Sequence, residues 1–552
     1  MHKVFSDQHT FTSGLRNYLM IVSLALILAS LTLLSTSVAS LDSTDWGLVS
    51  KLPVIFWIGL LSLIPITYYS RNSQFRMFIL FMLIFLYMYI IPTVIEVYPA
   101  LEPSSYYPSG EASLLASTGH WDSDPSIPLI SYREWPGFIF FGSELKLLTN
   151  LSDASLYKFF PLITIFIYCI ITFAILRLEL NPAGSFLGIV WLLLSFFYSQ
   201  YYFSPQGFSF ILYLTVILLS FKLFLQDKIK QNGAMKILIV FIFAVLVYSH
   251  SLTPFLIIFL IFTIAFFSYL FVKREDKNLW FRYCIKLFFI WVAYSLYIAK
   301  DFFGISISDV YEVILGAHKL SVYNEAVRIS PSLQQTLTIS SAWAIVILNG
   351  LILFYASISL ILKKEVRVLK KSIWVISMIP LAAFAFGVEY GAESYQRAFI
   401  FGLVSFSFLC ASALSNKPKI LFSVLSIAII LHIPAHYGAT SYKVASDTEL
   451  DGVKFFANAA PNSSSYSYVF TSYVYYSAPR KTLDDHDLGR PPFTKMPDVN
   501  ALKQTNFFLD SAMQSNYYLY YVQQDPLTLI RSSDHANKIY DNTRFRLYWS
   551  NL

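Results

Sequence analysis

The sequence predicts an α-helical polytopic membrane protein with a small extracytoplasmic α/β domain at its C-terminal end. Three observations carry this. Of the 552 residues, 56% are hydrophobic and only 13% charged, where a soluble domain carries about 25% charge. Apolar windows long enough to span a bilayer recur along the first four-fifths of the chain. Lys and Arg cluster in alternate connections between those windows, as cytoplasmic loops do. The net charge of +7 therefore reads as loop anchoring, and nucleic acid is not expected as a partner. Cys169, Cys284 and Cys410 all fall inside apolar runs, so no disulfide is expected.

By the twenty-residue criterion the windows number about thirteen. They run near Tyr18–Ser40, Pro53–Tyr69, Met77–Val97, Leu156–Leu176, Ser185–Gln200, Phe208–Leu225, Lys236–Tyr248, Leu252–Phe271, Cys284–Ala299, Ala342–Leu362, Ile373–Val388, Ala398–Leu414 and Ile420–His436. Basic residues such as Arg71, Arg76, Arg177, Lys222, Lys273, Arg274, Lys363, Lys364, Lys417 and Lys419 mark one side as cytoplasmic. This orients the chain with its N-terminus inside and its C-terminal domain outside, in the cell membrane. Residues 1–76 form additional N-terminal spans, residues 77–437 the main membrane domain, and residues 438–552 the outer domain.

The opposite face is where chemistry is expected. It carries the long loop 98–155, with Gly110-Glu111-Ala112, Thr118-Gly119-His120-Trp121-Asp122-Ser123-Asp124 and Tyr132-Arg133-Glu134-Trp135-Pro136-Gly137. A loop of about sixty residues in a membrane protein is exceptional, and long loops are where function concentrates. Beside it lie Tyr201–Gln206, Tyr248–Pro254, a second long loop at 300–340, and Glu389–Arg397. After His436 the composition turns Ser-, Asn-, Asp- and Tyr-rich. Helical spacing occurs at Thr448–Ala459 and again at Ala501–Met513. Strands are expected at Tyr466–Tyr476 and Tyr517–Gln523, and a hairpin through Asp541–Arg544.

An acidic start to the long loop, a helix-like Glu111–Ser117, the Trp-Pro-Gly, the Leu145–Phe160 lead into the next span, Tyr202–Gln206 and His250–Pro254 together resemble the GT-C membrane glycosyltransferases, notably uncharacterised prokaryotic and largely archaeal ones. The resemblance covers about Met77 to Leu552. It implies inverting transfer of a sugar or glycan, from a polyprenyl-phosphate or polyprenyl-diphosphate donor to a glycan, lipid or protein acceptor at the outer face. Where that family carries an Asp after the span preceding its large loop, this chain offers Glu96 and Glu102.

Such a transfer needs a carboxylate to take the acceptor's proton and a cation to hold the departing phosphate. Glu102 is the candidate base, with Glu111 the substitute. Arg397 opens a span on the outer side, where positive charge is disfavoured, and its guanidinium suits bidentate phosphate contact. Arg133 is a second phosphate candidate. His250, Gln206 and Trp135 are candidates for substrate contact. Asp122 and Asp124 have the spacing with which carboxylates hold Mg2+ or Mn2+, set against a plain turn before Pro125. Two readings stay open beside this one. One is a multispan polysaccharide polymerase or ligase, sharing the lipid-linked substrate. The other is a non-enzymatic transporter or scaffold, although the spans are almost free of charge and show no inverted repeat.

Overall fold

In the computed structural model, residues 2–35, 46–70, 73–95, 103–121, 134–198, 200–225, 233–271, 277–300, 333–362, 374–375, 377–378, 381, 394–415, 417–440, 446–459, 465–466, 507–511, 536–541 and 545–550 are described. The architecture is overwhelmingly helical. The helices are α1 (His2–Ser35), α2 (Val54–Ser70), α3 (Gln74–Ile95), α4 (Tyr106–Thr118), α5 (Gly137–Thr149), α6 (Asp153–Leu176), α7 (Pro182–Ser195) and α8 (Pro205–Leu225). They continue with α9 (Gly233–Ser249), α10 (Leu252–Phe271), α11 (Lys277–Tyr297), α12 (Leu333–Leu362), α13 (Ser394–Leu414), α14 (Pro418–Tyr437) and α15 (Asp447–Ala459).

Among the described residues, seven helices (within α1, α3, α6, α8, α12, α13 and α14) are long and apolar enough to cross a membrane by length and composition. Four shorter apolar helices accompany them. A helix lies over each expected window except Ile373–Val388, most of which falls outside the described residues. Ends differ where polar residues extend a helix beyond its apolar run. Thus α1 begins at His2, and α12 begins at Leu333, inside the stretch expected to be the second long loop. Hydropathy does not register such polar turns, whereas backbone hydrogen bonding carries the helix through them.

Two features fix the bundle. Trp191 Nε1 on α7 donates to Asn349 Oδ1 on α12 (2.8 Å), and Asn349 Nδ2 donates to Ser195 Oγ (3.2 Å), so a fully buried amide ties two helices together. Residues 86–90 of α3 form a π-helical turn, and the Tyr87 and Tyr89 hydroxyls there reach the backbone carbonyls of Ala25 (2.7 Å) and Leu193 (2.8 Å). In the C-terminal part, β1 (Ser465–Tyr466), β2 (Phe507–Ser511), β3 (Ala536–Asp541) and β4 (Phe545–Ser550) form one sheet in the order β1-β2-β4-β3. The expected hairpin is β3–β4, paired antiparallel. Phe507–Ser511 corrects the helical expectation for Ala501–Met513. It is a strand paired with β1 on one edge and β4 on the other, and cross-strand pairing outweighs a spacing that also fits a helix.

Candidate functional site

The expected long loop is itself largely built. Pro103–Ser105 forms a short 3-10 turn into α4, which ends where Gly119 takes a left-handed conformation (φ 66°) that a glycine adopts without strain. The chain returns as α5. Lys146 of α5 braces the pair: its Nζ meets Asp153 Oδ1 (2.6 Å), Ser109 Oγ (2.7 Å), Ser109 O (2.9 Å) and Ser113 Oγ (2.5 Å). Burial pulls the Lys146 pKa below its usual value, and Asp153 opposes that shift. Nothing in the sequence singled out Lys146 for this brace. The bundle also lies against α5. A Cβ on Gly142 would meet Phe203 Cζ at 2.9 Å and Ala112 Cβ at 3.2 Å. One on Gly137 would run into Ser249, with its Cα at 3.0 Å. The Trp135-Pro136-Gly137 corner is thereby seated on the end of α9, next to His250.

At that end of the bundle three helices begin. α8 starts at Pro205 with Ser204 Oγ accepting from Gly207 N (3.1 Å), a Ser-Pro start of the kind helices prefer. α10 starts behind His250, whose Nδ1 accepts from Leu252 N and Thr253 N (both 3.2 Å) in the manner of an N-cap. α13 carries Arg397 in its first turn, and Arg397 Nη1 donates to Gln206 Oε1 (2.9 Å). Helix N-termini bear partial positive charge, and a guanidinium among them makes the place electropositive.

The hydrogen bonds also settle which way the polar atoms face. Gln206 is buried, and with Oε1 engaged its Nε2 is buried without a hydrogen-bond partner. His250 is buried too. Desolvation, joined by the charge of Arg397, pushes its pKa down to about 3, so the ring is neutral. Since Nδ1 accepts, the single ring proton sits on Nε2. Arg397, the Gln206 amide and His250 Nε2–H thus present donors only, the array an anion such as phosphate requires.

Three of the residues singled out in the sequence are therefore brought together: Arg397, Gln206 and His250. Trp135 is buried beside Tyr294 (ring centroids 6.4 Å), whose hydroxyl donates to Glu134 O (2.6 Å). Glu111 is buried on α4, one residue from the Ala112 that faces Gly142. Glu102, Asp122, Asp124 and Arg133 lie outside the described residues. Among the described residues no group of three or more His, Cys, Asp or Glu is placed to hold a metal ion.

Behind the cluster is a second feature the sequence did not disclose. Tyr201 Oη and His436 Nε2 are 2.6 Å apart, and His436 Nδ1 is 2.7 Å from Phe197 O, to which it donates. The rings of Tyr201 and His436 stack (5.7 Å, 10°). These contacts pin the 197–206 connection that delivers Gln206 to Arg397.

Fold and site define a polytopic helical protein whose polar cluster lies at one end of its bundle. Solved structures similar to it include an archaeal oligosaccharyltransferase and ArnT. The Archaeoglobus fulgidus oligosaccharyltransferase tethered with an acceptor peptide containing the NVT sequon is 11% identical, over 87% of this chain and 74% of its own, with a TM-score of 0.49. The same archaeon's AglB in complex with an inhibitory peptide and a dolichol-phosphate is 10% identical over the same shares, also at 0.49. ArnT from Cupriavidus metallidurans bound to undecaprenyl phosphate is 11% identical, over 89% of this chain and 97% of its own, at 0.44. No family model matches the sequence, and no curated protein matches it.

Proposed function

We propose that the chain is a membrane glycosyltransferase that takes a sugar or glycan from a polyprenyl-phosphate or polyprenyl-diphosphate donor and passes it to an acceptor at the outer face of the cell membrane. The observation that carries the reading is the donor-only cluster of Arg397, Gln206 and His250. In it, Arg397 and the two neutral donors hold the donor's phosphate and stabilise the charge that grows as the sugar leaves. Electrostatic stabilisation of that kind is strongest where water is excluded and the donors are already in place. The acceptor's proton goes to a carboxylate of the α4 end, Glu102 or Glu111, with inversion at the sugar carbon. Trp135, buried at the corner that abuts Ser249, closes the flank of the site. Asp122 and Asp124 would be the residues to hold Mg2+ or Mn2+, which would supply positive charge against the phosphate.

The test uses purified protein in nanodiscs. Polyprenyl phosphate should bind, and polyprenol of the same chain length, which lacks the phosphate, should bind far more weakly. Sugar transfer from polyprenyl-phosphate-linked donors should follow the same order among variants of Arg397. Equal binding of phosphorylated and unphosphorylated lipid would discard the proposal.

A further inference from the structure

Helix α5 presents apolar side chains to both of its sides. Ile139, Gly142 and Lys146 face α4 and the bundle, as the contacts above require. On the other side Phe140, Leu147, Leu148 and Leu151 are exposed, Leu147 by 60% and Leu148 by 81%. Spacings of seven and eight residues put Leu147 and Leu148 on one face with Phe140 at about 100° per residue, and Leu151 follows two residues past the helix end. A soluble surface seldom leaves large apolar residues grouped in this way on one short helix and the turn that follows it.

We infer that this face lies in the membrane interface, with the glycerol and upper acyl region of the bilayer's phospholipids as its occupant. Continuity identifies that occupant. Leu151 leads straight into α6, a helix long and apolar enough to cross a membrane, whose exposed Phe159 and Ile163 carry the same surface onward. At the other end, Phe140 meets the half-exposed Tyr248 at the end of α9 (6.2 Å) and Trp121 (6.0 Å). Tyr and Trp collect at the headgroup level of membranes. Glu144 is exposed in the middle of the face, which excludes the hydrocarbon centre and suits headgroup depth. The helix is then a float. It holds the Gly137 corner, and with it His250, level with the membrane surface. This inference does not depend on the glycosyltransferase reading.

Fluorophore labelling tests it. The chain's own cysteines are buried, so a thiol-reactive fluorophore placed on Leu148→Cys or Leu147→Cys reports that position, and Lys454→Cys on α15 serves as the aqueous reference. Both are read in full-length protein reconstituted in phosphatidylcholine vesicles. The α5 labels should lose most of their emission to a phospholipid carrying a nitroxide near its glycerol end, and little to aqueous iodide. The Lys454 label should show the reverse. Iodide quenching of the α5 labels equal to that at Lys454 overturns the inference. So does protection from both quenchers, which would mean that protein, either a second copy or another segment of this chain, covers the face.

Discussion

Arg397 Nη1 and Gln206 Oε1, 191 residues apart in sequence, are joined by a 2.9 Å hydrogen bond between the first turns of α13 and α8. The bond turns the glutamine amide so that its Nε2 is left over. A charged donor thus orients a neutral one. Arg397→Lys keeps the charge but loses the planar fork, and Arg397→Ala loses both. A hydrogen bond to a charged group is worth about 1.5–3 kcal/mol, so polyprenyl-phosphate affinity should fall roughly tenfold to a hundredfold in Arg397→Ala. Arg397→Lys should recover only part of it. Isothermal titration in nanodiscs measures this, and equal affinity in all three proteins refutes the assignment.

His250 makes a prediction about pH. Its folded pKa of about 3 lies below the ordinary 6.5, so the unfolded chain binds a proton that the folded chain refuses between those values. Stability from this site is therefore fully present above pH 6.5 and lost as pH falls towards 3, at up to about 1.4 kcal/mol per unit. In His250→Asn, the Oδ1 atom replaces Nδ1 as acceptor for the start of α10, and nothing there titrates. Melting temperatures should be similar at pH 7, with the variant losing less than wild type between pH 6.5 and 4.5. If the gap between the two proteins is the same at both ends of that range, the ring is not held neutral.

The Lys146 brace predicts a loss of structure rather than of chemistry. Lys146→Met keeps the apolar stem and removes the ammonium, taking from Asp153 its ion-pair partner and from the Ser109 and Ser113 hydroxyls their charged donor. Asp153 is 24% exposed, so the cost sits below that of a wholly buried pair, at about 2 kcal/mol. Lys146→Met with Asp153→Asn should cost less than the two single changes added together. Denaturant melts of the four proteins give the coupling, and strict additivity would mean that the pair holds nothing.

Orientation has its own test. With the N-terminus cytoplasmic and the C-terminal part outside, a membrane-impermeant thiol reagent applied to cells should label Ser464→Cys and spare Val366→Cys. The reverse pattern would turn the protein over and put Arg397 on the cytoplasmic face.

The helices were legible because an apolar run of about twenty residues has few alternatives in a membrane protein. Of the long loop, the place and the helix-like Glu111–Ser117 were legible, but α5 was not. That helix carries apolar residues on both sides, so no single amphipathic stripe announces it. Lys146 and Asp153 are joined across a break whose left-handed Asn150 (φ 51°) no hydropathy pattern marks. Arg397 stood out by type and position, since a cation at the outer head of a span asks for a reason. Gln206 stood out as a substrate-contact candidate but not as the partner of Arg397, because the two meet only once α8 and α13 are neighbours. The Tyr201–His436 contact was hidden for the same cause: tyrosines near span ends are commonplace, and this one's partner lies 235 residues away.

The proton acceptor is the remaining assignment. Glu111 lies between Ser109 and Ser113, the two serines that Lys146 grips, and one helical residue turns about 100°. Glu111 therefore sits about 200° round α4 from Ser109, on the side away from the brace. It is nevertheless buried at 4% exposure, and a carboxylate is seldom buried without a polar purpose. Glu102 precedes the 3-10 turn that opens α4, where the chain emerges from α3. Glu111→Gln and Glu102→Gln each keep size and one acceptor oxygen while removing the base. Loss of a positioned base lowers the rate by about 10²–10⁴-fold. The expected outcome is such a loss in kcat for one of the two, with polyprenyl-phosphate affinity unchanged. Circular dichroism and melting of the two variants separate catalysis from folding. Full transfer activity in both would leave the donor-only cluster as a phosphate site without a base and return the chain to a transporter or scaffold role.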